Sequence, residues 1–138
     1  MTATTRPPQP AALVAAAVAA ARHAYIPYSN YPVGAALLAA DGQVYTGCNV
    51  ENAVYPATIC AERTALVKAV SEGQRQFEAI AVATRNGGSP CGICRQMLYE
   101  FAPGLRVYIA DFEGRLLHTV ALADLLALGF GPQDLAGG

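Results

Sequence analysis

The sequence predicts a layered α/β domain, and three observations support that prediction. Five short apolar segments of strand length alternate with four longer segments of helical composition. Glycine-containing turns separate neighbouring strands, and 138 residues suffice for one hydrophobic core without a second domain. We therefore expect a single domain over residues 11–138. It follows a Thr/Pro-rich tail, residues 1–10, which lacks periodic hydrophobic residues and is therefore expected to be disordered.

The first predicted elements are a helix and a hairpin. High helix propensity predicts a helix from Ala11 to Ala24, which Pro27 ends. Two apolar segments, Val33 to Ala39 and Gln43 to Cys48, flank an Asp-Gly pair that favours a tight turn. The pattern therefore predicts two antiparallel strands.

The second half of the chain is predicted to contain three helices and three strands. Thr58 can cap a helix that runs to about Glu72, and Ser89-Pro90 can begin a helix that runs to about Phe101. A buried strand, Ala79 to Thr84, separates these two helices. Two further strands and a short helix complete the domain: Arg106 to Ala110, Leu116 to Val120 and Ala121 to Leu128.

Composition and charge narrow the classes of partner. Hydrophobic residues make up 54% of the chain and charged residues 14%, so a monomer would expose apolar surface and self-association is expected. Nine basic and ten acidic residues give a net charge of −1, without the basic stripe that drives nucleic-acid binding. We therefore expect a small-molecule substrate and no nucleic-acid partner.

Membrane insertion and export are not expected either. The longest apolar run, Ala11 to Ala21, is about half of the roughly 20 residues that a membrane span requires. The segment before it holds one basic residue and three prolines, which is unlike a secretory signal. The four cysteines are accordingly expected to be reduced thiols in the cytoplasm rather than disulfides.

Three of the cysteines have the spacing of a metal site. Cys91 and Cys94 form a Cys-x-x-Cys pair, which alone could equally be a redox pair or two packed thiols. Cys60, like Cys91, falls in the first turn of a predicted helix, where the positive end of the helix dipole stabilises a thiolate. Three thiolates around a tetrahedral zinc leave one position free for water. The pattern therefore predicts a hydrolytic metal centre.

Two neighbours of Cys60 complete the predicted centre. Glu62 can handle the protons of a zinc-bound water, although an acidic residue in a first helical turn can also simply favour the helix dipole. Three thiolates and Zn²⁺ together carry a net negative charge, which Arg63 could offset by donating to a ligand sulfur. Alternatively, Arg63 is a solvated helix residue.

Four blocks of the sequence resemble one enzyme family. They are Tyr28 to Ala36, Asn49 to Ala53, Cys60 to Ala65 and Ser89 to Gln96. Cys-Ala-Glu followed by Pro-Cys-x-x-Cys is the zinc-deaminase signature, and the four blocks in this order are similar to the small, tetrameric cytidine deaminases. The resemblance implies a three-layer α/β/α fold with a five-stranded mixed sheet and one zinc ion per subunit. It also implies a homotetramer with its sites at subunit interfaces.

The same resemblance implies the reaction, which is hydrolytic deamination of cytidine and 2′-deoxycytidine in pyrimidine salvage. A zinc-activated water would attack C4 of cytosine while Glu62 protonates N3 and then carries a proton to the departing amine. Uridine or 2′-deoxyuridine and ammonia would leave. The contribution of Glu62 should be largest in the transition state, where charge moves onto the ring.

Four further residues are implied to bind the substrate. Asn49 and Glu51 would hold the ribose through its 3′-hydroxyl; without the resemblance they would be interpreted as a turn residue and a surface acid. A carboxylate there would repel a phosphate, so nucleosides should be preferred to nucleotides. Tyr31 takes the place of the family's usual phenylalanine in the pocket, and its hydroxyl needs a partner. Phe130 matches an aromatic residue that stacks on the base in a neighbouring subunit's site.

The remaining candidate ligands fall outside this constellation. Cys48 lies on a predicted strand and is interpreted as a small buried hydrophobic residue. His23 and His118 are single histidines at a helix end and on a strand, which are more often packed or exposed than metal-binding.

Three rival functions stay open at this point. A sister enzyme could deaminate another aminated nucleoside, such as a nucleoside antibiotic, because the zinc site fixes the reaction better than the substrate. A structural zinc module would have a closed coordination sphere and no need of Glu62. A polynucleotide-editing enzyme would need a basic surface, which this composition does not supply.

Overall fold

A computed structural model describes residues 9–136 of the chain and shows five strands and five α-helices among them. The strands are β1 Gly34–Ala39, β2 Val44–Cys48, β3 Phe77–Ala83, β4 Arg106–Ala110 and β5 Leu116–Ala121. The α-helices are α1 Pro10–Ala20, α2 Ala61–Ser71, α3 Gly92–Phe101, α4 Leu122–Leu125 and α5 Pro132–Ala136. Two 3-10 turns lie at Ala21–His23 and Tyr55–Ala57.

The strands form one mixed sheet in the order β2-β1-β3-β4-β5. β3 and β4 are parallel and the other neighbouring pairs are antiparallel, which confirms the predicted mixed five-stranded sheet. Gly34 pairs with both Cys48 and Ala83, so the start of β1 lies beside the ends of β2 and β3. Segments that continue past these three strand ends therefore meet at one edge of the sheet.

Helices cover both faces of the sheet, which gives the predicted three layers. Every residue of β1 is buried, and alternate side chains point to opposite faces. On one face, Leu37 and Ile80 join a core with side chains of α2 and α3, among them Leu66. On the other, alanines of β1, β3 and β4 pack against α1 through Leu13 and Val14. Small side chains on that face allow the alanine-rich α1 to lie close to the sheet.

Glycines allow two helices to lie directly on the strands. A Cβ on Gly34 would lie 1.9 Å from the carbonyl oxygen of Ala17 in α1. A Cβ on Gly47 would lie 2.5 Å from the carbonyl oxygen of Ala61 and 2.6 Å from the amide nitrogen of Ala65 in α2. Gly47 therefore determines how closely the first turn of α2 approaches the end of β2.

Replacing Gly47 with alanine is expected to destabilise the fold. The new methyl group would meet backbone atoms, which cannot move aside as a flexible side chain can, so we expect a loss of about 3 kcal/mol in the free energy of unfolding. Gly104→Ala is the matched control because no atom lies within 4 Å of the Cβ it would add. Urea titrations at one protein concentration compare the variants. Coincident curves for the two variants would contradict this packing.

Two predicted helix starts are wrong by a few residues, for reasons that lie outside the helices. Thr58 does not cap α2, because Ile59 pairs with Val50 in an antiparallel bridge and keeps the chain extended up to Cys60, the actual N-cap. Ser89 and Pro90 do not begin α3 either, since the N-cap is Cys91. The Ser89 hydroxyl instead accepts a hydrogen bond from Arg95 at 2.9 Å.

The C-terminal segment also differs from its prediction. The predicted helix from Ala121 to Leu128 is reduced to α4, because Ala121 completes β5 and Leu128 has a left-handed backbone with φ of 54°. A second short helix, α5, follows and had no counterpart in the prediction. At the other end, α1 begins at Pro10, one residue earlier than predicted, and gives way to a 3-10 turn at Ala21.

Part of the predicted domain organisation concerns residues outside the range that the structure describes. Residues 1–8 of the predicted tail and Gly137 and Gly138 lie outside the described range. The single-domain organisation of residues 11–138 stays a prediction. Within residues 9–136, no helix combines the length and hydrophobicity that crossing a bilayer requires.

Candidate active site and metal centre

The candidate site is a cavity at the end of the sheet where β1 begins and where β2 and β3 finish. Val33 immediately precedes β1, Asn49 follows β2 and Thr84 follows β3, and all three line the same cavity of about 200 Å³. Residues of the first turn of α2 and of the β3–α3 loop (84–91) close it. The remaining lining residues are Tyr31, Thr58, Cys60, Ala61, Glu62, Val82, Gly88, Ser89 and Cys91.

The three predicted ligand cysteines converge beside this cavity. The Sγ atoms of Cys60, Cys91 and Cys94 all lie within 4.8 Å of one another, and those of Cys60 and Cys91 are 3.7 Å apart. A zinc–sulfur distance of about 2.3 Å places two thiolates of a tetrahedral site about 3.8 Å apart. The separation of Cys60 and Cys91 therefore matches that of two zinc ligands, and the sulfur of Cys94 lies within 4.8 Å of both.

Two helix N-termini point at the sulfur cluster. Cys60 and Cys91 are the N-cap residues of α2 and α3, rather than residues of their first turns as predicted, and Cys94 is the third residue of α3. The N-terminal end of each helix, with its partial positive charge, therefore lies beside the cluster. This arrangement stabilises thiolates, which are the form that binds metal.

The thiols in the cluster influence one another's ionisation. The pKa of Cys60 is lowered to about 5, chiefly because the Cys94 thiol donates a hydrogen bond to it, with further help from Arg63. The pKa of Cys94 is raised, because it is the donor in that pair and because it is buried. Three neighbouring thiols therefore cannot all ionise unless a cation balances their charge, and a divalent metal supplies that charge.

Arg63 contacts the cluster. Its Nη2 lies 3.4 Å from the sulfur of Cys60 and donates to the carbonyl oxygen of Thr58 at 3.2 Å. The guanidinium thus lies against a predicted ligand, and its positive charge partly offsets that of the thiolates.

Glu62 is buried at the cavity wall, two residues from Cys60. Its side chain is only 4% exposed. Loss of solvation raises the pKa of Glu62 to about 7, and the negative charge on Cys60 adds to the effect. A carboxyl group that simply favoured the helix dipole would have no reason to be buried.

Asn49 braces the wall of the cavity. Its side-chain oxygen accepts from the amide of Val33 at 2.9 Å and its Nδ2 donates to the carbonyl oxygen of Tyr31 at 2.8 Å. The segment before β1 is thereby fixed to the end of β2. A second hydrogen on Nδ2 and a second lone pair on Oδ1 remain in principle for a ligand.

Glu51 is held by the segment that precedes Tyr31. Its Oε1 accepts from the amides of Tyr28 at 2.9 Å and Ser29 at 3.1 Å. Hydrogen bonds from the Ser29 side chain and from these amides lower the pKa of Glu51, so the group is an oriented carboxylate. Its second oxygen can accept from a hydroxyl group.

Tyr31 lines the cavity, and its hydroxyl group has a hydrogen-bond partner. It donates to Oδ1 of Asn86 in the β3–α3 loop. This contact was not predicted, because nothing local in the sequence links Asn86 to a tyrosine 55 positions earlier.

Phe130 does not line this cavity. It is 58% exposed and lies beside a separate surface depression together with Gln96 and Leu135. The backbone oxygen of Phe130 accepts from Nε2 of Gln96 at 2.9 Å, so the segment after α4 is attached to α3.

The other candidate ligands lie apart from the cluster. Cys48 is at the end of β2 and half-buried rather than buried as predicted. His23 and His118 are exposed, on the turn after α1 and on β5.

Sequence reasoning missed several residues that form the cavity. Val82 and Thr84 were assigned to a strand without a role in the site, and Gly88 was given no role. One signal was available, because the polar loop follows a buried strand directly and leads into Cys91, and such strand-end loops commonly carry binding residues.

Fold and site together define a class, an α/β protein with a three-thiolate metal centre and a buried carboxyl group beside a cavity. A family model described as "Cytidine and deoxycytidylate deaminase zinc-binding region" matches residues 8–110. The chain is 50% identical over 127 residues to a cytidine deaminase of Sporosarcina psychrophila, which covers 90% of this chain and 93% of the relative.

A solved structure extends the similarity. The crystal structure of cytidine deaminase from Burkholderia pseudomallei matches with a TM-score of 0.83 and 47% identity, covering 86% of this chain and 97% of that one. A cytidine deaminase of Halalkalibacterium halodurans is 45% identical over 126 residues, covering 89% of this chain and 95% of the relative. The chain therefore belongs to the cytidine and deoxycytidylate deaminase zinc-binding family.

Proposed function

We propose that this protein is a zinc-dependent cytidine deaminase that converts cytidine and 2′-deoxycytidine, with water, to uridine and 2′-deoxyuridine and ammonia. We further propose that it acts in the cytoplasm, in pyrimidine salvage. The observation that carries the proposal is a cluster of three thiols beside a cavity of about 200 Å³ that is lined by two of the cysteines, Cys60 and Cys91, and by the buried Glu62. Family membership and about half-identical cytidine deaminases support it.

Cys60, Cys91 and Cys94 would hold the zinc ion. When bound there, the metal would supply a Lewis acid that lowers the pKa of a coordinated water. The helix N-termini and the guanidinium of Arg63 offset the negative charge of the thiolates. Soft thiolate donors in a tetrahedral set also favour zinc over magnesium or calcium.

Glu62 would move the protons of the reaction. Its carboxylate can take a proton from water, deliver it to N3 of the cytosine ring, and later transfer a second proton to the departing amino group. One residue can serve each step because its side chain lines the cavity wall beside Cys60. Its burial excludes bulk water, which strengthens its interaction with charge that develops on the ring.

Asn49 and Tyr31, which line the cavity, and Glu51, which does not line it but is held by the segment before Tyr31, would bind the nucleoside. Glu51 offers a carboxylate oxygen to the ribose 3′-hydroxyl, and Asn49 offers its remaining hydrogen-bonding capacity while bracing the wall. A phosphate on that hydroxyl would be repelled by Glu51. Discrimination by an oriented polar group can be large, because a mismatched ligand leaves it unpaired.

The proposed function is tested by measuring the turnover of several nucleosides with protein whose zinc content has been determined. Ultraviolet absorbance and ammonia release should show turnover of cytidine and 2′-deoxycytidine, and little turnover of free cytosine or cytidine 3′-monophosphate. Turnover of another aminated nucleoside in place of cytidine would contradict the substrate assignment. That alternative is disfavoured by the level of identity to cytidine deaminases.

We also propose that the enzyme is a homotetramer in which Phe130 enters the site of a neighbouring subunit. Two exposed apolar surfaces of the chain support self-association. One includes Tyr28 and Tyr55, whose ring centroids are 5.4 Å apart. The other carries Leu128, Phe130 and Leu135 at the C-terminal end. Exposed patches of this kind commonly mark protein interfaces.

Subunit complementation tests the role of Phe130. Glu62→Gln and Phe130→Ala are each expected to be inactive as homo-oligomers. Co-refolding equal amounts should restore about a quarter of wild-type sites, because a symmetric assembly pairs an intact Glu62 with an intact Phe130 at that frequency. Light scattering reports the assembly size. Absence of recovery in a confirmed mixed oligomer would contradict the proposal.

A further inference from the structure

The cavity wall contains a link between two distant segments, centred on Tyr31. Its hydroxyl donates to Oδ1 of Asn86, and the guanidinium carbon of Arg85 lies 4.8 Å from the centre of its ring. Arg85 also donates to the carbonyl oxygen of Asn30 at 3.2 Å. The segment before β1 is thus joined to the β3–α3 loop by two hydrogen bonds and one cation–π contact.

The loop is also closed on itself close to the same point. The amide of Gly88 donates to Oγ1 of Thr84 at 2.7 Å, which bends the loop back over the end of β3. A Cβ on Gly88 would lie 2.9 Å from the hydroxyl oxygen of Tyr31. The tyrosine hydroxyl therefore occupies the space that any side chain at position 88 would need.

Tyr31, Thr84 and Gly88 all line the cavity, and the same loop leads into Cys91. Asn86 and Arg85 are exposed, whereas Gly87 lies against Leu117, whose Cδ1 would be 2.3 Å from a Cβ at that position, so the contacts with Tyr31 and Asn30 are the ones that hold the exposed tip of the loop. The link to Tyr31 therefore fixes the outer part of the loop against the wall of the cavity.

We propose that Tyr31 is a positioning residue, which fastens the β3–α3 loop through its hydroxyl and, together with Gly88, sets the width of the nucleoside cavity. The proposal rests on the proposed function for its kinetic consequence. The effect should fall on substrate binding rather than on the chemical step, since Glu62 is carried by α2 and not by this loop.

A double-mutant cycle tests the interaction between Tyr31 and Gly88. Tyr31→Phe removes the hydrogen bond, so the KM for cytidine should rise roughly three- to tenfold, the range of one neutral hydrogen bond, while kcat changes by less than about twofold. Gly88→Ala should impair binding more, because its methyl group meets the hydroxyl. In the Tyr31→Phe background, Gly88→Ala should raise the KM for cytidine by a smaller factor, because phenylalanine lacks the hydroxyl oxygen that the methyl group would meet.

A matched control is available elsewhere in the chain. Tyr45 donates from its hydroxyl to Oε1 of Gln43 at 2.7 Å, the same kind of bond, on β2 and not among the cavity-lining residues. Tyr45→Phe should leave KM and kcat unchanged. Zinc content is measured for every variant. Tyr31→Phe should contain as much zinc as wild type, because Cys91 remains the N-cap residue of α3.

Amide hydrogen exchange gives a readout that does not depend on cytidine. Peptides covering residues 85–88 should exchange faster in Tyr31→Phe than in wild type, and at the wild-type rate in Tyr45→Phe. Unchanged exchange in Tyr31→Phe would overturn the proposal. So would an equal cost of Gly88→Ala in both backgrounds. Wild-type protein that fails to deaminate cytidine would instead refute the proposed function and leave the exchange test valid.

Discussion

Glu62→Gln should abolish cytidine turnover while leaving the fold and the zinc content unchanged. An amide of the same shape fits the buried position at the cavity wall, but it cannot accept or deliver the protons of the reaction. We expect kcat to fall roughly 10⁴-fold, the upper end for one acid–base residue, because the same carboxylate serves several transfers. Zinc per chain, circular dichroism and cytidine turnover are measured on one sample.

Glu72→Gln is the matched control for this variant. Glu72 is exposed and caps the C-terminal end of the same helix, so its neutralisation should leave kcat unchanged. Cytidine turnover by Glu62→Gln within about tenfold of wild type would be incompatible with the proton-transfer role, since general acid–base catalysis contributes at least about 100-fold. It would favour a structural zinc module.

Removing one cluster sulfur should remove both zinc and activity. Cys91→Ala and Cys94→Ala each leave two thiolates, and we expect zinc to bind roughly 100-fold more weakly or worse. Even groups that only hydrogen-bond a ligand contribute roughly 10- to 100-fold to metal affinity. Two variants are useful because Cys94 is buried and Cys91 is exposed, so a folding defect at one position need not affect the other.

Cys48→Ala controls for the loss of a thiol as such. Cys48 lies outside the cluster and is half-buried, so the variant should keep its zinc and its turnover. Dialysis against a zinc buffer, followed by metal determination, measures the affinities. Full zinc occupancy in both Cys91→Ala and Cys94→Ala would show that the cluster is not the metal site.

Strands were predicted more accurately than helix ends, and the reason is physical. Arg106–Ala110 is a short apolar segment between turn residues, and this local pattern alone places β4 where the structure has it. The starts of α2 and α3 depended on long-range contacts. Pairing of Val50 with Ile59 and the hydrogen bond from Arg95 to Ser89 override the local capping signals of Thr58 and Ser89.

The core of the site was predictable because its chemistry is carried by residue type. Three cysteines and one glutamate in this spacing have few other uses, and the structure brings the cysteines together beside the buried Glu62. The link from Tyr31 to Asn86 was not predictable. It joins two loop segments whose approach is set by the β1–β3 pairing, and the local sequence of neither segment encodes it.

The coordination of the bound zinc ion tests the central claim most directly. X-ray absorption spectroscopy of the purified protein should show three sulfur neighbours at about 2.3 Å and one oxygen or nitrogen neighbour at about 2.0 Å. The lighter neighbour should change when a transition-state analogue of deamination is added. Four sulfur neighbours, or a shell that is unaltered by such an analogue, would contradict a centre that keeps one position open for reacting water.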